Sequence, residues 1–298
     1  MPSPNSFEGM PSVDGVEHRV VDLPGLRMHV AEAGEGDPVL LLHGFPQHWG
    51  EWRGVIPALA ENHRVIVPDL RGTGWTDAPK TGYERGQLLA DVVALLDALE
   101  IDRVHVVGHD WGALISYSLC FEHPERVRSF LCVAIPHPFI RFDIRALPAF
   151  RHLWFQYVVA TPGVGPRLLR SGHQRLLRRV IRGFSSKRTT WSDDDLDVYA
   201  GRMREPARAR AAGSLYRGLI LPELGRIAMG RYRDQRLTTP TVILCGADDP
   251  VMRPEFLGGY EDNADDLTID VVPDASHFIP DEQPDAVAAH ALALIART

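Results

Sequence analysis

The stretch VHVVGHDWG, residues 104–112, decides the fold of this chain of 298 residues. A β-branched apolar run, Val104–Val107, ends in a turn where Gly108 and Gly112 stand two positions before and after Asp110. Small residues at that spacing are typical of a nucleophile elbow, a tight strand-to-helix turn that holds one side chain over the end of a sheet. A carboxylate there is already ionised, so it suits backside attack on a saturated carbon better than the opening of an ester or amide.

Short apolar strand patterns alternate with helical patterns on both sides of this elbow. The strand patterns cover residues 17–21, 26–31, 39–42, 65–67, 104–107, 128–135, 241–245 and 268–272, and the helical patterns cover 87–99, 112–121 and 286–295. Alternation of this kind predicts an α/β fold with a mostly parallel central sheet and helices on both faces.

A long segment, residues 137–232, interrupts the alternation and shows amphipathic stretches without a convincing strand. A helical block between two sheet strands, on the side where the elbow emerges, predicts an inserted cap over a core made of 16–136 and 233–298. The Pro-, Ser- and Gly-rich residues 1–15 are expected to form a flexible tail. The inserted segment carries 18 basic and 7 acidic residues, whereas the remainder carries 14 basic and 32 acidic residues.

The overall composition limits the partners and the compartment. A net charge of −7 excludes a chain built as a whole for nucleic acid or for anionic membranes. No apolar stretch is long enough for a membrane span, and the N-terminus lacks the basic and apolar regions of a secretory signal. The odd, widely spaced cysteines Cys120, Cys132 and Cys245 favour reduced core residues, and hence a cytoplasmic protein without a Cys/His metal site.

Four motifs, taken together, resemble those of a known family. HGFP at 43–46, GHDWG at 108–112, GADDPV at 246–251 and ASHF at 275–278 occur in the order found in the α/β-hydrolase superfamily, and within it in the cap-bearing epoxide hydrolases with an Asp nucleophile. The resemblance implies an α/β-hydrolase fold and hydrolysis of an epoxide to a vicinal diol. It also implies a small apolar epoxide as the substrate and no metal or organic cofactor, and it leaves a homodimer open.

The resemblance assigns the catalytic roles residue by residue. Asp110 would form a covalent ester with the substrate, and His277 would act as the general base that activates water against this ester. The orienting acid would be Asp249, with Asp248 as the competing candidate; the family pattern places the acid three residues after Gly246, which favours Asp249.

The same resemblance predicts the binding groups around the nucleophile. The backbone N–H groups of Phe45 and Trp111 would form the oxyanion hole. The side chains of Phe45, Trp111, Trp154 and Phe155 would form an apolar substrate pocket.

The cap should supply the acid that protonates the opening epoxide. Tyr216 matches the second of two cap proton donors in the family. At the first donor position no tyrosine falls where the family carries one; His152 is favoured, with Arg151 and Tyr157 as alternatives.

Two other functions stay open at this point. Haloalkane dehalogenases use the same Asp nucleophile, but they usually carry Asn where this chain has Phe45, and a halide leaves without a proton, so Tyr216 favours an epoxide. A non-catalytic homologue that only binds a ligand would not need Asp110, Asp249 and His277 together.

Overall fold

The computed structural model describes residues 7, 9–140, 145 and 147–298, and its centre is an eight-stranded sheet. In chain order the strands are β1 (Glu17–Leu23), β2 (Leu26–Ala33), β3 (Asp37–Leu42), β4 (His63–Pro68), β5 (Val104–His109), β6 (Val127–Val133), β7 (Thr241–Gly246) and β8 (Leu267–Val272). Their order across the sheet is β1-β2-β4-β3-β5-β6-β7-β8. Strand β2 is antiparallel to β1 and β4, and every other neighbouring pair is parallel. The expected α/β fold with a mostly parallel sheet is confirmed.

Helices cover both faces of this sheet because its central strands are apolar on both sides. In β3, Leu40 and Leu42 join one buried cluster, and Val39 and Leu41 join the other. The first cluster includes side chains of α2 (Arg85–Ala98) and α3 (Trp111–Glu122), and the second includes side chains of α1 (Ile56–Ala60) and α12 (Pro284–Ile295), which follows the short helix α11 (Ile279–Glu282).

The segment between β6 and β7 is helical wherever a regular element is described between residues 147 and 232. It contains α4 (Leu147–Phe150), α5 (Trp154–Ala160), α6 (Val164–Arg170), α7 (Arg175–Gly183), α8 (Asp193–Ala200), α9 (Pro206–Leu215), a π-helical turn (Tyr216–Ile220) and α10 (Leu221–Ala228). Helices α5 and α6 pack against each other and against α9. Within the described residues, no helix is both long and apolar enough to cross a bilayer.

The connection from β5 to α3 consists of one residue, Asp110. Its backbone dihedral angles are φ 46° and ψ −113°. A positive φ is strained for any residue that has a Cβ. The Asp110 N–H donates to the carbonyl of Val133 (3.3 Å), and the Asp110 carbonyl accepts from the N–H of Leu114 (3.2 Å). These bonds to β6 and to α3 hold the strained residue in place.

The glycines of the elbow are required by close backbone approach. A Cβ on Gly112 would lie 2.1 Å from the carbonyl oxygen of Leu42, and one on Gly108 would lie 2.8 Å from the Cα of Ala113. Because Gly108 and Gly112 have no side chains, α3 can begin in direct contact with β3 and β5.

We expect Gly112→Ala to destabilise the protein by about 2 kcal/mol or more, because the added methyl group would overlap backbone that cannot move without distorting the sheet. Gly86→Ala is the matched control. Gly86 lies in α2 with open space where a methyl group would extend, so alanine there should stabilise by up to about 1 kcal/mol. Chemical denaturation of both variants measures the difference. Equal stabilities would contradict the steric explanation.

Candidate active site

Asp110 faces a cavity of about 200 Å³ between the carboxyl end of the sheet and the helical insertion. Its wall is overwhelmingly apolar. The polar or charged side chains that line it are Asp110, Gln156, Tyr216, Glu223 and His277. A mostly apolar cavity with a few converging polar groups is the usual form of a small-molecule site.

The loop after β3 holds one oxygen of the Asp110 carboxylate. The N–H of Phe45 donates to Oδ2 of Asp110 at 2.9 Å. A Cβ on Gly44 would lie 2.5 Å from the Cβ of Asp110, so only glycine allows the loop to come this close. Trp111 directly follows Asp110 and is the first residue of α3, so its N–H has no acceptor within the helix.

His277 and Asp249 approach Asp110 from loops at the carboxyl ends of β8 and β7. Nδ1 of His277 lies 3.4 Å from Oδ2 of Asp249, a long ion-pair contact, and Oδ2 is buried without another partner among the described residues. Oδ1 of Asp249 accepts the N–H groups of Val251 (2.7 Å) and Met252 (2.9 Å). The competing acid, Asp248, is exposed and accepts from the hydroxyl of Ser186 (2.6 Å). The structure therefore brings Asp249, and not Asp248, to His277.

The surroundings of His277 favour its protonated form. Burial by itself would lower the pKa of the imidazole, but the contact with Asp249 and the negative charges of Asp110, Asp249 and Glu282 outweigh it and raise the pKa above the usual 6.5. The backbone is also held, since the N–H of His277 donates to the carbonyl of Phe184 in the insertion (3.0 Å).

Tyr216 faces Asp110 from the insertion. It begins the π-helical turn, a local feature that is frequent at functional sites, and its ring centroid lies 5.3 Å from those of Phe45 and Trp111 and 6.1 Å from that of Phe155. Burial, followed by the charge of Asp110, raises the pKa of Tyr216 well above 10. The phenol therefore carries its proton at neutral pH.

Several residues that the sequence places in the pocket do not line the cavity. Trp154 and Tyr157 are exposed on the outer face of α5, and His152 lies on the preceding turn, where it contacts Arg151 and the ring of Phe184. Phe155 does line the cavity. Gln156, the next residue of α5, lines the cavity as well, whereas Trp154 is 48% exposed to solvent.

The structure adds two polar cavity residues that the sequence reasoning missed. Gln156 lines the cavity, and its Oε1 is buried without a hydrogen-bond partner among the described residues. Glu223 is buried, forms an ion pair with Arg226 (3.3 Å) and accepts from the hydroxyl of Tyr232. The sequence gives no spacing signal for the inward face of α5, because Trp154 and Val158 form an apolar i, i+4 pair just as Phe155 and Val159 do.

A buried acid–imidazole pair, Glu51 and His109, lies next to Asp110. Nε2 of His109 donates to the carbonyl of His277 (2.9 Å), which leaves Nδ1 as the acceptor in a neutral ring, 3.3 Å from Oε2 of Glu51. Burial lowers the pKa of His109 to about 4, and burial followed by the charge of Asp281 raises the pKa of Glu51 well above 4.5. The lowered pKa of His109 and the raised pKa of Glu51 are both consistent with a protonated Glu51 that donates a hydrogen bond to a neutral His109. Neither residue has a spacing signal in the sequence.

Metal ligands are not grouped in this region. Across the described ranges, no three His, Cys, Asp or Glu side chains come together as a set that could hold a metal ion.

Comparison with known proteins gives consistent similarities over nearly the whole chain. Residues 37–284 match a protein family described as having the alpha/beta hydrolase fold. A soluble epoxide hydrolase from Corynebacterium sp. (strain C12) is 30% identical over 291 residues, which cover 94% of this chain and 98% of that protein.

Solved structures give the same result. Cfl2 from Burkholderia cenocepacia superposes with a TM-score of 0.84 at 27% identity, over 95% of this chain and 97% of that one. An epoxide hydrolase from Vigna radiata superposes with a TM-score of 0.80 at 28% identity, over 97% of this chain and 100% of that one.

We expect Asp249→Asn to lower the pKa of His277, because the substitution removes the neighbouring negative charge while burial of the ring persists. Asp248→Asn is the matched control, since this neighbouring carboxylate is exposed and contacts Ser186 instead. Titration of labelled imidazoles by NMR measures both. If the two variants shift His277 equally, the pairing with Asp249 does not govern its protonation.

Proposed function

This chain belongs to the α/β-hydrolase family and to the epoxide hydrolases within it, and from that membership we propose that it hydrolyses an apolar epoxide to a vicinal diol through a covalent ester on Asp110. The observation that carries the proposal is the position of Asp110: its carboxylate lies at the floor of an apolar cavity, with Tyr216 on the opposite wall and His277–Asp249 beside it. This arrangement supplies a nucleophile, an acid and a base around one small volume.

In the first step, an oxygen of Asp110 attacks an epoxide carbon and the carbon–oxygen bond breaks. The released oxygen takes the phenolic proton of Tyr216. The negative charge of Asp110 contributes to the raised pKa of Tyr216, and this charge disappears when the neutral ester forms. Tyr216 therefore becomes a stronger acid as the ring opens, and the amide of Gln156 supplies a second polar group on the cap side of the cavity.

In the second step, His277 takes a proton from water, and the resulting hydroxide attacks the ester carbonyl. The Asp110 oxygen held by the N–H of Phe45 is the one we assign as this carbonyl oxygen, so the negative charge develops against a donor that is already in place. The N–H of Trp111 is the second donor. Collapse of the intermediate breaks the bond between the ester carbonyl carbon and the substrate oxygen. The departing alkoxide takes the remaining proton of the added water, which yields the diol and restores the Asp110 carboxylate. The proton held by His277 then neutralises the phenolate of Tyr216, so that both groups return to their starting states.

The helical insertion acts as a cap in this proposal. Segment 137–232 contributes the inward-facing Phe155, Gln156 and Tyr216, while the core, 16–136 and 233–298, contributes Asp110, His277 and the carboxylate of Asp249 that contacts His277. Residues 1–6 and 8 of the proposed tail, and residues 141–144 and 146 of the cap, lie outside the described residues. A cytoplasmic location is supported by three buried, unpaired thiols: Cys120, Cys132 and Cys245.

Dehalogenation is the weaker alternative on the same nucleophile. A halide needs hydrogen-bond donors but no proton. Here the residue after His43-Gly44 is the apolar Phe45, and a protonated Tyr216 faces the nucleophile. Both observations favour an oxygen leaving group.

We expect His277→Gln to form the ester without hydrolysing it, because the attack of Asp110 needs no base whereas the attack of water does. Intact-mass measurement after incubation with panels of small epoxides and haloalkanes reads the outcome. A mass gain equal to a whole epoxide, absent from the variant in which Asp110 is also alanine, supports the proposal. A gain equal to an alkyl group with release of halide would assign a dehalogenase, and no adduct from either panel would favour a binding protein.

Tyr216→Phe should slow ester formation on an epoxide by about 100-fold or more, since the phenol proton is lost while the ring and its packing remain. Tyr157→Phe removes a hydroxyl from the same cap outside the cavity and is the matched control. Single-turnover measurement in the His277→Gln background isolates this step. Unchanged ester formation in Tyr216→Phe would remove Tyr216 from the mechanism.

A further inference from the structure

The outer face of the cap carries an exposed apolar patch. Six large apolar side chains among the described residues are exposed by 40% or more, and four of them lie on α5 and α6: Trp154 (48%), Tyr157 (65%), Val164 (49%) and Leu168 (40%). The first two are three residues apart and the last two are four apart, so each pair shares one face of its helix. We refer to these four residues as the cap patch. Grouped exposed apolar residues of this kind mark interaction sites.

The sequence that contains the cap patch is basic. Residues 144–192 contain ten Arg or Lys residues and no Asp or Glu, and the acidic residues Asp193–Asp195 and Asp197 follow directly in α8. Arg175, Arg178, Arg179, Arg182 and Gly183 line a shallow groove on α7. Arg178 and Arg182 form ion pairs with Asp193. Arg175 and Arg179 are exposed, with no carboxylate within ion-pair distance among the described residues. Arginine binds phosphate groups in bidentate geometry, so this groove suits a phosphate-bearing surface.

The helices that carry the patch and the groove are neighbours. Helix α6 packs against both α5 and α7. Exposed Arg167 lies on α6 between Val164 and Leu168. Exposed aromatic and aliphatic side chains interspersed with arginine are the composition of segments that lie at the interface between a bilayer and water.

We propose that this face of the cap docks on the surface of a phospholipid bilayer that contains anionic headgroups. The cap patch would enter the headgroup region, and the arginines of α6 and α7 would bind phosphates. The net charge of −7 does not oppose docking, because surface charges act over about 8 Å at physiological salt and only the cap would come that close. Since the remaining chain carries 32 acidic against 14 basic residues, repulsion of the core would orient the cap toward the membrane.

A second copy of the chain fits this surface less well. A two-fold contact would bring two strongly basic faces together, and juxtaposed like charges are costly. A reciprocal contact of each cap with the acidic core of the other copy could close by two-fold symmetry, and the sedimentation experiment below separates that dimer from membrane docking.

Docking would also place the cavity wall next to the bilayer. Phe155 and Gln156, which line the cavity, belong to the same helix as exposed Trp154 and Tyr157. On the proposed function, apolar epoxides would reach the cavity from the membrane in which they dissolve. Docking itself does not depend on catalysis, so a binding measurement separates the two proposals.

The test is co-sedimentation of the full chain with vesicles of phosphatidylcholine alone or with about 30% phosphatidylglycerol added. We expect at least about tenfold stronger binding to the anionic vesicles, with loss of that binding as salt rises from about 0.05 to about 0.5 M. Equal binding to both vesicle types, or no binding to either, would overturn the proposal.

Two matched pairs of variants assign the surface. Arg167→Glu/Arg175→Glu/Arg179→Glu should weaken anionic-vesicle binding by about 100-fold, at about fivefold for each of the three charges near the surface. Arg236→Glu/Arg253→Glu, on exposed residues of the core, should leave vesicle binding unchanged.

Tyr157→Ser/Leu168→Ser should weaken vesicle binding, whereas Val271→Ser, which removes an exposed apolar side chain on β8, should not. Thermal unfolding confirms that each variant is folded. If a cap variant and its control on the core lose vesicle binding equally, the assignment of the surface is contradicted.

Trp154 provides a direct report of insertion. Its fluorescence should shift to the blue and be quenched by brominated lipids on anionic vesicles, and Trp154→Phe should remove both changes while retaining binding. Sedimentation velocity tests whether a second copy of the chain covers the patch instead. If the chain does not bind vesicles but forms concentration-dependent dimers, and Tyr157→Ser/Leu168→Ser abolishes those dimers, the patch is an interface between copies.

Discussion

The contact between Gly112 and the carbonyl of Leu42 is the constraint on which the rest of the site depends. Because residue 112 has no Cβ, α3 begins directly against β3, and the turn from β5 has room for one residue, Asp110, at φ 46°. That turn presents the carboxylate above the sheet edge, within 2.9 Å of the N–H of Phe45. Backbone strain at one residue is thus compensated by hydrogen bonds with β6, with α3 and with the loop after β3, which together fix the position of the Asp110 carboxylate.

The charge of Asp110 then influences both proton-transfer groups. It raises the pKa of His277, which is stabilised as an imidazolium, and it raises the pKa of Tyr216, which keeps its phenolic proton. Both effects weaken once the carboxylate becomes a neutral ester. In the proposed cycle, esterification therefore makes Tyr216 a better acid during ring opening and removes one of the charges that raise the pKa of His277, the proposed base for water.

The helical insertion has two faces with different chemistry. Its inner face supplies apolar side chains, Gln156 and Tyr216 to the cavity, and its outer face combines arginines with exposed Trp154 and Tyr157. This division arises because each short helix has one face toward the cavity and the opposite face toward solvent. The same division explains the uneven charge of the chain: the basic excess lies on a surface layer, and the acidic excess surrounds the core.

The sequence by itself determined the α/β class, the parallel sheet and the place of the elbow, because strand periodicity and small-residue spacing are local properties of the chain. It also pointed to Asp110 and His277 through their motifs, and to Tyr216 through the resemblance to cap-bearing epoxide hydrolases. Tertiary structure decided which residues near 151–157 face the cavity, since the turn at Arg151–Leu153 sets the rotation of α5 and places Phe155 and Gln156 inward rather than His152 and Trp154. It also decided the contact of Glu51 with His109, which are 58 residues apart in the chain. A contact between residues so far apart in the chain depends on how β3 and β5 pair in the sheet. No local sequence pattern encodes the burial that shifts the pKa values of Glu51 and His109.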